Sequence, residues 1–357
     1  MEVGILLAKS GIGLDIGTSA VKLVEIESGH PFRVRLVQSE PLPDDAFNKD
    51  MFKSTPPIVA ILQSLFKKTH SRRAVIAISG QSTILRTVQV PLLDKEEIRN
   101  ALQWEAEKYI PFPIDEVSLD FQIIGQNREQ SESEIFLACV HKDIISQQLD
   151  ILHQAGIHPL AIDIQALALA RSLGLENSAD NSSIALLNIG AGTTDLTILK
   201  GGVPCFNRII PIAGKQLTES IAKNLGVSFE KAEQLKLLHS DAQYNLTQAA
   251  PGSEMYQVNF TMLEGLRELV LEIKRSFDYY HIQQRNDEIT QLELTGGVAQ
   301  LKNLLPFLSQ ELGYPVILAQ PAMKYKCSNK KVGAFFNEAM PEMMIAFGLA
   351  LREVIPG

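Results

Sequence analysis

The chain has 357 residues, of which 45% are hydrophobic and 21% charged, with a formal net charge of −8. That length suits two lobes better than one core, and the acidic balance offers no basic surface of the kind that binds nucleic acid. Cys139, Cys205 and Cys327 form neither a zinc spacing nor a disulfide framework, which fits a reducing cytoplasm. Residues 3–8 are apolar but follow no basic stretch, so no signal peptide is read there. No run of about 18 apolar residues suggests a membrane-spanning helix.

Residues 11–17 read as a buried strand and 20–27 as a second, with Val21, Leu23 and Glu25 on one face. The tight Gly17-Thr18-Ser19 turn joins them, and a second turn at 27–31 leads into an alternating strand at 32–39. Ile58, Ile61, Leu62 and Leu65 predict a helix over 58–68, and 73–79 is a short apolar strand. Asp94 and Glu97 then have the spacing of a capping box. The helix predicted behind them, 95–109, turns Ile98, Leu102 and Tyr109 inward and stops at Pro111-Phe112-Pro113. Strands at 117–124 and 134–141, a polar loop at 125–133 and a helix at 143–154 complete a small α+β insertion of roughly 70 residues.

A strand at 160–164 runs into a helix at 165–173, and the polar stretch 176–183 reads as a linker between lobes. Strands follow at 184–190, 196–200 and 203–212, then helices. The apolar helix at 341–354, with Met344, Phe347, Gly348 and Leu351, is expected to be wedged into the core.

One segment returns. Gly13-Leu14-Asp15-Ile16-Gly17-Thr18-Ser19 is echoed half a chain later by Leu187-Asn188-Ile189-Gly190-Ala191-Gly192-Thr193-Thr194. Each copy is an apolar strand, an acid or amide, a glycine-rich turn with hydroxyls, and another strand. Two such hairpins facing one another would clamp a polyphosphate, because glycines admit phosphate oxygens to backbone N–H groups and hydroxyls add donors. A carboxylate at the strand end can hold the waters of Mg²⁺. A single Gly-Thr/Ser turn is common; the pair carries the reading. Neither a Walker A pattern nor a Gly-x-Gly-x-x-Gly behind a strand is present. A third element, Thr295-Gly296-Gly297-Val298, follows a strand and would let backbone approach a nucleoside.

These segments resemble the actin, sugar-kinase and DnaK superfamily, which implies an α/β, actin-like (ribonuclease H-like) two-lobed ATPase fold. The resemblance implies a first phosphate motif of Asp15, Gly17, Thr18, Ser19 and Lys22, and a second of Asn188, Gly190, Gly192, Thr193 and Thr194. It implies a phosphate-approaching turn at Gly214 and an adenosine motif at Gly296, Gly297 and Val298. Asp163 resembles the connect-1 acid, and 346–351 the connect-2 helix. Glu233 and Lys236 resemble residues that reach the adenosine in DnaK-type chaperones; a solvated helix face is the alternative. The implied cofactors are ATP and Mg²⁺, the metal held through water by Asp15, Asp163 and Asn188. Asn188 stands where the superfamily usually carries Asp. An amide can accept from a metal-bound water but brings no charge and is a poor base, so binding is expected over efficient turnover.

Within that superfamily, Ala106-Glu107-Lys108-Tyr109-Ile110-Pro111-Phe112-Pro113, followed by Glu116-Val117 and Asp120, resembles the signature of the PilM family of type IV pilus assembly, related to FtsA. The resemblance implies a subdomain 1A at 1–82 and 157–182, an FtsA-type 1C insertion at 83–156, a second lobe at 183–340 and a returning helix at 341–357. It implies a cytoplasmic ATP-binding scaffold that binds the N-terminal cytoplasmic peptide of PilN in a groove between 1A and 1C. Ile110 and Phe112 are candidate contacts by position. Through PilN it would sit at the inner membrane and connect other pilus proteins with the motor. Two alternatives stay open, a small-molecule kinase and an FtsA-like filament of self-associating copies. The sequence ends at Pro356-Gly357 without the C-terminal amphipathic helix of FtsA relatives, so a partner-dependent location is expected.

Overall fold

Two sheets with the same strand plan organise the chain. The structure, a computed structural model, describes residues 9–43, 46–48, 51–78, 83–105, 108–176, 182–247, 250–283 and 287–355. β1 (Ser10–Ile16), β2 (Ala20–Glu27) and β3 (Phe32–Pro41) form an antiparallel meander. The short hairpin of β4 (Phe47–Asn48) and β5 (Met51–Phe52) and helix α1 (Pro56–Leu65) lead to β6 (Arg73–Ile78), which joins β1 in parallel. β6 reads Ala74-Val75-Ile76-Ala77-Ile78, all buried, as a parallel strand covered on both faces must be.

The insertion follows: β7 (Thr83–Pro91), α2 (Lys95–Glu105), β8 (Val117–Asn127), β9 (Glu132–His141) and α3 (Lys142–Gln154). Its strands form a separate sheet ordered β7-β9-β8. The capping box is formed, with Asp94 N donating to Glu97 Oε2 at 3.0 Å and Glu97 N to Asp94 Oδ1 at 2.8 Å. α2 buries Ile98 and Leu102. It is described to Glu105 only, and Ala106 and Glu107 of the Pro-terminated run lie outside the described residues. The loop expected at 125–133 is mostly ladder, because β8 continues to Asn127 and β9 starts at Glu132.

β10 (His158–Ile164) returns to the first sheet beside β6, and α4 (Gln165–Ser172) follows. The second half then repeats the plan. β11 (Ser183–Ile189), β12 (Thr194–Lys200) and β13 (Val203–Ile210) make the meander. After α5 (Gly214–Leu225), α6 (Phe229–His239) and α7 (Glu254–Gln283), β14 (Ile289–Thr295) joins β11 in parallel. α8 (Leu304–Leu312) leads to β15 (Val316–Leu318), parallel to β14. Thus β13-β12-β11-β14-β15 matches β3-β2-β1-β6-β10, with β16 (Tyr325–Cys327) added beside β3. α9 (Lys330–Glu338) and α10 (Met340–Val354) close the chain on the first sheet. Of the linker expected at 176–183, residues 177–181 lie outside the described residues. Ser183 is instead buried at the head of β11, bonded to Asp287 Oδ2 at 2.6 Å.

α10 is seated on missing side chains. A Cβ at Gly13 of β1 would stand 2.0 Å from Ala346 O, and one at Gly11 2.2 Å from Ala350 O. A Cβ at Gly348 would stand 1.8 Å from Ala168 O of α4. Backbone therefore packs on backbone at three points. Leu169 and Ala170 of α4 and Met344 of α10 also pack against Leu186 and Leu199, so the same two helices hold the second sheet. We predict that Gly13→Ala destabilises the fold by about 3 kcal/mol, the upper end of overpacking costs. The thermal midpoint should fall by roughly 5 °C; an unchanged midpoint would show that α10 is not seated there.

Candidate nucleotide cleft

The echo seen in the sequence is an equivalence of register. β1 and β2 place Asp15 opposite Lys22, and β11 and β12 place Asn188 opposite Asp195. In each turn a glycine N–H closes on the carbonyl three residues later, Gly17 on Ala20 O and Gly190 on Thr193 O, both at 3.0 Å. The hairpins meet across the cleft: a Cβ on Gly192 would lie 2.8 Å from Thr18 Oγ1, and Lys215 Nζ donates to Thr18 O at 3.0 Å. Between the lobes lies a cleft of about 800 Å³, a size that suits a nucleotide-sized ligand.

Asp15, Gly17, Thr18, Ser19 and Lys22 line it from one side, and Asn188, Gly190, Gly192, Thr193 and Gly214 from the other. Glu233, Lys236, Gly296, Gly297 and Val298 line its far end. Two expected residues do not. Thr194 is fully buried, its hydroxyl donating to Ile212 O at 2.6 Å. Asp163 lies among cations at the junction of α4 and α10: its Oδ2 accepts from Arg171 Nη1 at 2.9 Å and faces Arg352 Nη1 at 3.0 Å. The residue that reaches Asp15 is Gln165, at the first position of α4, with Nε2 donating to Asp15 Oδ1 at 3.3 Å.

Asp15 is 3% exposed, and Lys22 Nζ stands 3.4 Å from its Oδ2. Lys236 is likewise fixed, donating to Gly214 O at 3.1 Å, Thr218 Oγ1 at 2.7 Å and Glu233 Oε2 at 2.7 Å. Glu233 and Lys236 therefore form part of the cleft wall and not a solvated face. Gly214 N donates to Gly190 O and Lys215 N to Ala191 O, which docks the first turn of α5 on the second hairpin. Gly296 has φ +92°, and a Cβ there would meet Ile189 O at 2.3 Å and Asn188 Oδ1 at 2.7 Å; no other residue fits. Its N–H donates to Pro341 O at 2.9 Å, tying the β14 loop to the head of α10. Gly297 faces open space and leaves the wall flat.

Sequence reading missed Gln165, Asp195 and Lys215. The available signal for Asp195 was its cross-strand place in the echo, opposite Asn188 as Lys22 is opposite Asp15. Asp15, Gln165, Asn188 and Asp195 all line the cleft and carry side-chain oxygens, a donor type that fits a hydrated Mg²⁺. Among the described residues, no three His, Cys, Asp or Glu side chains gather into a cage that would strip a metal of its water. The candidate partner residues of the insertion differ in fate. Ile110 is buried in the insertion core, while Phe112 is half-buried with its ring 4.2 Å from that of His141.

A duplicated sheet core with paired glycine hairpins around one cleft defines a protein of the actin-like ATPase fold. A family profile, "Type IV pilus assembly protein PilM", matches residues 13–354, and the chain belongs to that family. It is similar to a solved chain of a "PilM-PilN type IV pilus biogenesis complex", with 30% identity and a TM-score of 0.84 over 97% of this chain and 99% of that one. It is 24% identical to the cell division protein FtsA of Bacillus subtilis (strain 168) over 351 residues, 87% of this chain and 78% of that protein. MreB 5 of Spiroplasma citri, solved bound to AMPPNP, shares the fold at 13% identity and a TM-score of 0.53, over 97% of this chain and 96% of that one. The fold class and family expected from the sequence are borne out.

β14 carries one more ionisable group. Burial raises the Glu293 carboxyl to about 7, opposed by a hydrogen bond from Gln291. Its folded value lies above the unfolded one, so between about pH 4.5 and 7 the native state holds a proton that the unfolded chain has released. Stability from this group is complete below that window and lost as pH rises through it. Glu293→Gln should flatten the decline in thermal midpoint from pH 5 to 7.5; an identical decline in the variant would place the titration elsewhere.

Proposed function

We propose that the chain binds one ATP with Mg²⁺ between its two hairpins and serves as a scaffold for a PilN-like N-terminal peptide in the pilus inner-membrane complex. The observation that carries this reading is the matched register of Asp15 and Asn188 on facing hairpins of one cleft. The N–H groups and hydroxyls of Thr18, Ser19 and Thr193 would take phosphate oxygens, as would the backbone at Gly192. Lys22 would contribute a cation already oriented by Asp15. Gly296, Gly297 and Val298 would border the nucleoside, with Glu233 and Lys236 beside it.

Bound Mg²⁺ would neutralise phosphate charge, and its waters would be accepted by Asp15, Asn188 and their neighbours Gln165 and Asp195. Asp163 takes no part, since two guanidinium groups engage it. Asn188 holds a water without drawing its proton, so turnover is slow and the nucleotide acts mainly by joining the lobes. The insertion at 83–156 serves as the 1C-type subdomain and, with the first sheet, forms the peptide's groove. Support for that partner comes from the family and from the similar chain solved in a PilM–PilN complex. Among the described residues, no helix is long and apolar enough to cross a membrane. Attachment to the inner membrane, and linkage to the motor, would run through the partner.

Asp15→Ala should weaken Mg-ATP binding at least tenfold, or about 1.4 kcal/mol; calorimetry giving the wild-type affinity would remove Asp15 from the site. Asn188→Asp should bind Mg-ATP equally or more tightly and release phosphate faster. Weaker binding by that variant would mean that the site is built around the amide. A synthetic PilN-like N-terminal peptide should be retained by the chain on a column, and no retention at high peptide concentration would contradict the assigned partner.

A further inference from the structure

We propose that the seam between β7 and β13 couples the cleft to the insertion, so that nucleotide loading changes the affinity of the insertion for its peptide. This rests on the nucleotide and peptide reading above and adds its regulation. β7 is an outer strand of the insertion sheet, and β13 is an outer strand of the second sheet. They come together without a ladder between them, and Thr87 Oγ1 of β7 donates to Pro204 O of β13 at 3.3 Å.

Beside this contact lies a cavity of about 30 Å³, walled by Thr83 and Leu85 of β7, Gln165 of α4, and Asn188, Asp195 and Asn207 of the second sheet. That volume holds one or two waters and excludes any organic ligand. Thr83 Oγ1 is buried and has no hydrogen-bond partner among the described residues. Gln165, Asn188 and Asp195 line the large cleft as well. The three side chains expected to turn toward phosphate and metal are therefore also the wall of the seam.

A ligand that draws them into the cleft moves that wall. The contact between α4 and α10 offers little give, since Gly348 and Ala168 are already in backbone contact. The seam does: among the described residues it has one side-chain hydrogen bond, a void and an unsatisfied hydroxyl. A shift of β13 toward Thr83 would fill the void and supply the hydroxyl with a partner, giving the seam a second arrangement. Such a two-state element, biased from both sides, is what coupling between sites requires.

The test is hydrogen exchange read by mass spectrometry on the full chain, with and without Mg-AMPPNP, in wild type and Thr87→Val. Segments 13–19 and 188–194 report occupancy, and 83–91 and 203–210 report the seam. In wild type both pairs should change, the seam by at least threefold in rate. In Thr87→Val the hairpins should respond as before while the seam response falls by half or more. Wild-type peptide affinity should shift at least threefold with Mg-AMPPNP, nucleotide affinity by the same factor with peptide, and both shifts should shrink in the variant. Protected hairpins with an unchanged seam would overturn the coupling and keep the nucleotide site. No protection at either would overturn both. A responsive seam with peptide affinity indifferent to nucleotide would show that the movement stops short of the partner surface, and would also overturn the proposal.

Discussion

The approach of α10 to β1 and α4, backbone against backbone, is the contact on which the rest of the structure depends. Glycines at 11, 13 and 348 remove the side chains that would hold these elements apart. The gain is positional. Asp15 stands two residues beyond Gly13 on β1, and the head of α10 holds the β14 loop through Pro341 O. One helix thereby sets the separation between the acid of the first hairpin and the glycine loop at the far end of the cleft. The apolar residues around it, Phe336, Phe347 and Leu351 with Val24 and Ile26, make that setting stiff.

On this frame the duplicated sheets deliver equivalent positions with unequal chemistry. In the first hairpin the strand-end acid faces a lysine across the ladder; in the second an amide faces an acid. The carboxylate of the second lobe has in effect moved one strand over, from 188 to 195. The first hairpin sets an acid opposite a cation, while the second sets an acid opposite a neutral amide. That arrangement suits a site that holds a hydrated metal and polyphosphate without a strong base aimed at water.

Much of this was legible because glycine and turn chemistry act locally. Gly17-Thr18-Ser19 and Gly190-Ala191-Gly192 mark their turns whatever surrounds them, and Asp94 with Glu97 closes its own cap. The errors fall where long-range partners decide. Asp163 has the look of a cleft acid until Arg352, about half the chain away, is seen to claim it. Gln165 gives no local sign, since its role comes from standing at the start of α4 directly beside Asp15. Ile110 reads as an available contact after a helix stop, yet the insertion sheet buries it. β7 is an edge strand whose other side meets β13 across the lobes, a contact that no local pattern announces.

One nucleotide shared by two hairpins of unequal chemistry is the central requirement. The most direct measurement is equilibrium dialysis of the unmodified chain against ATP, with Mg²⁺ and then with EDTA. One ATP bound per chain, lost or much weakened when the metal is removed, is the predicted result. Saturation at zero, or binding indifferent to Mg²⁺, would contradict it.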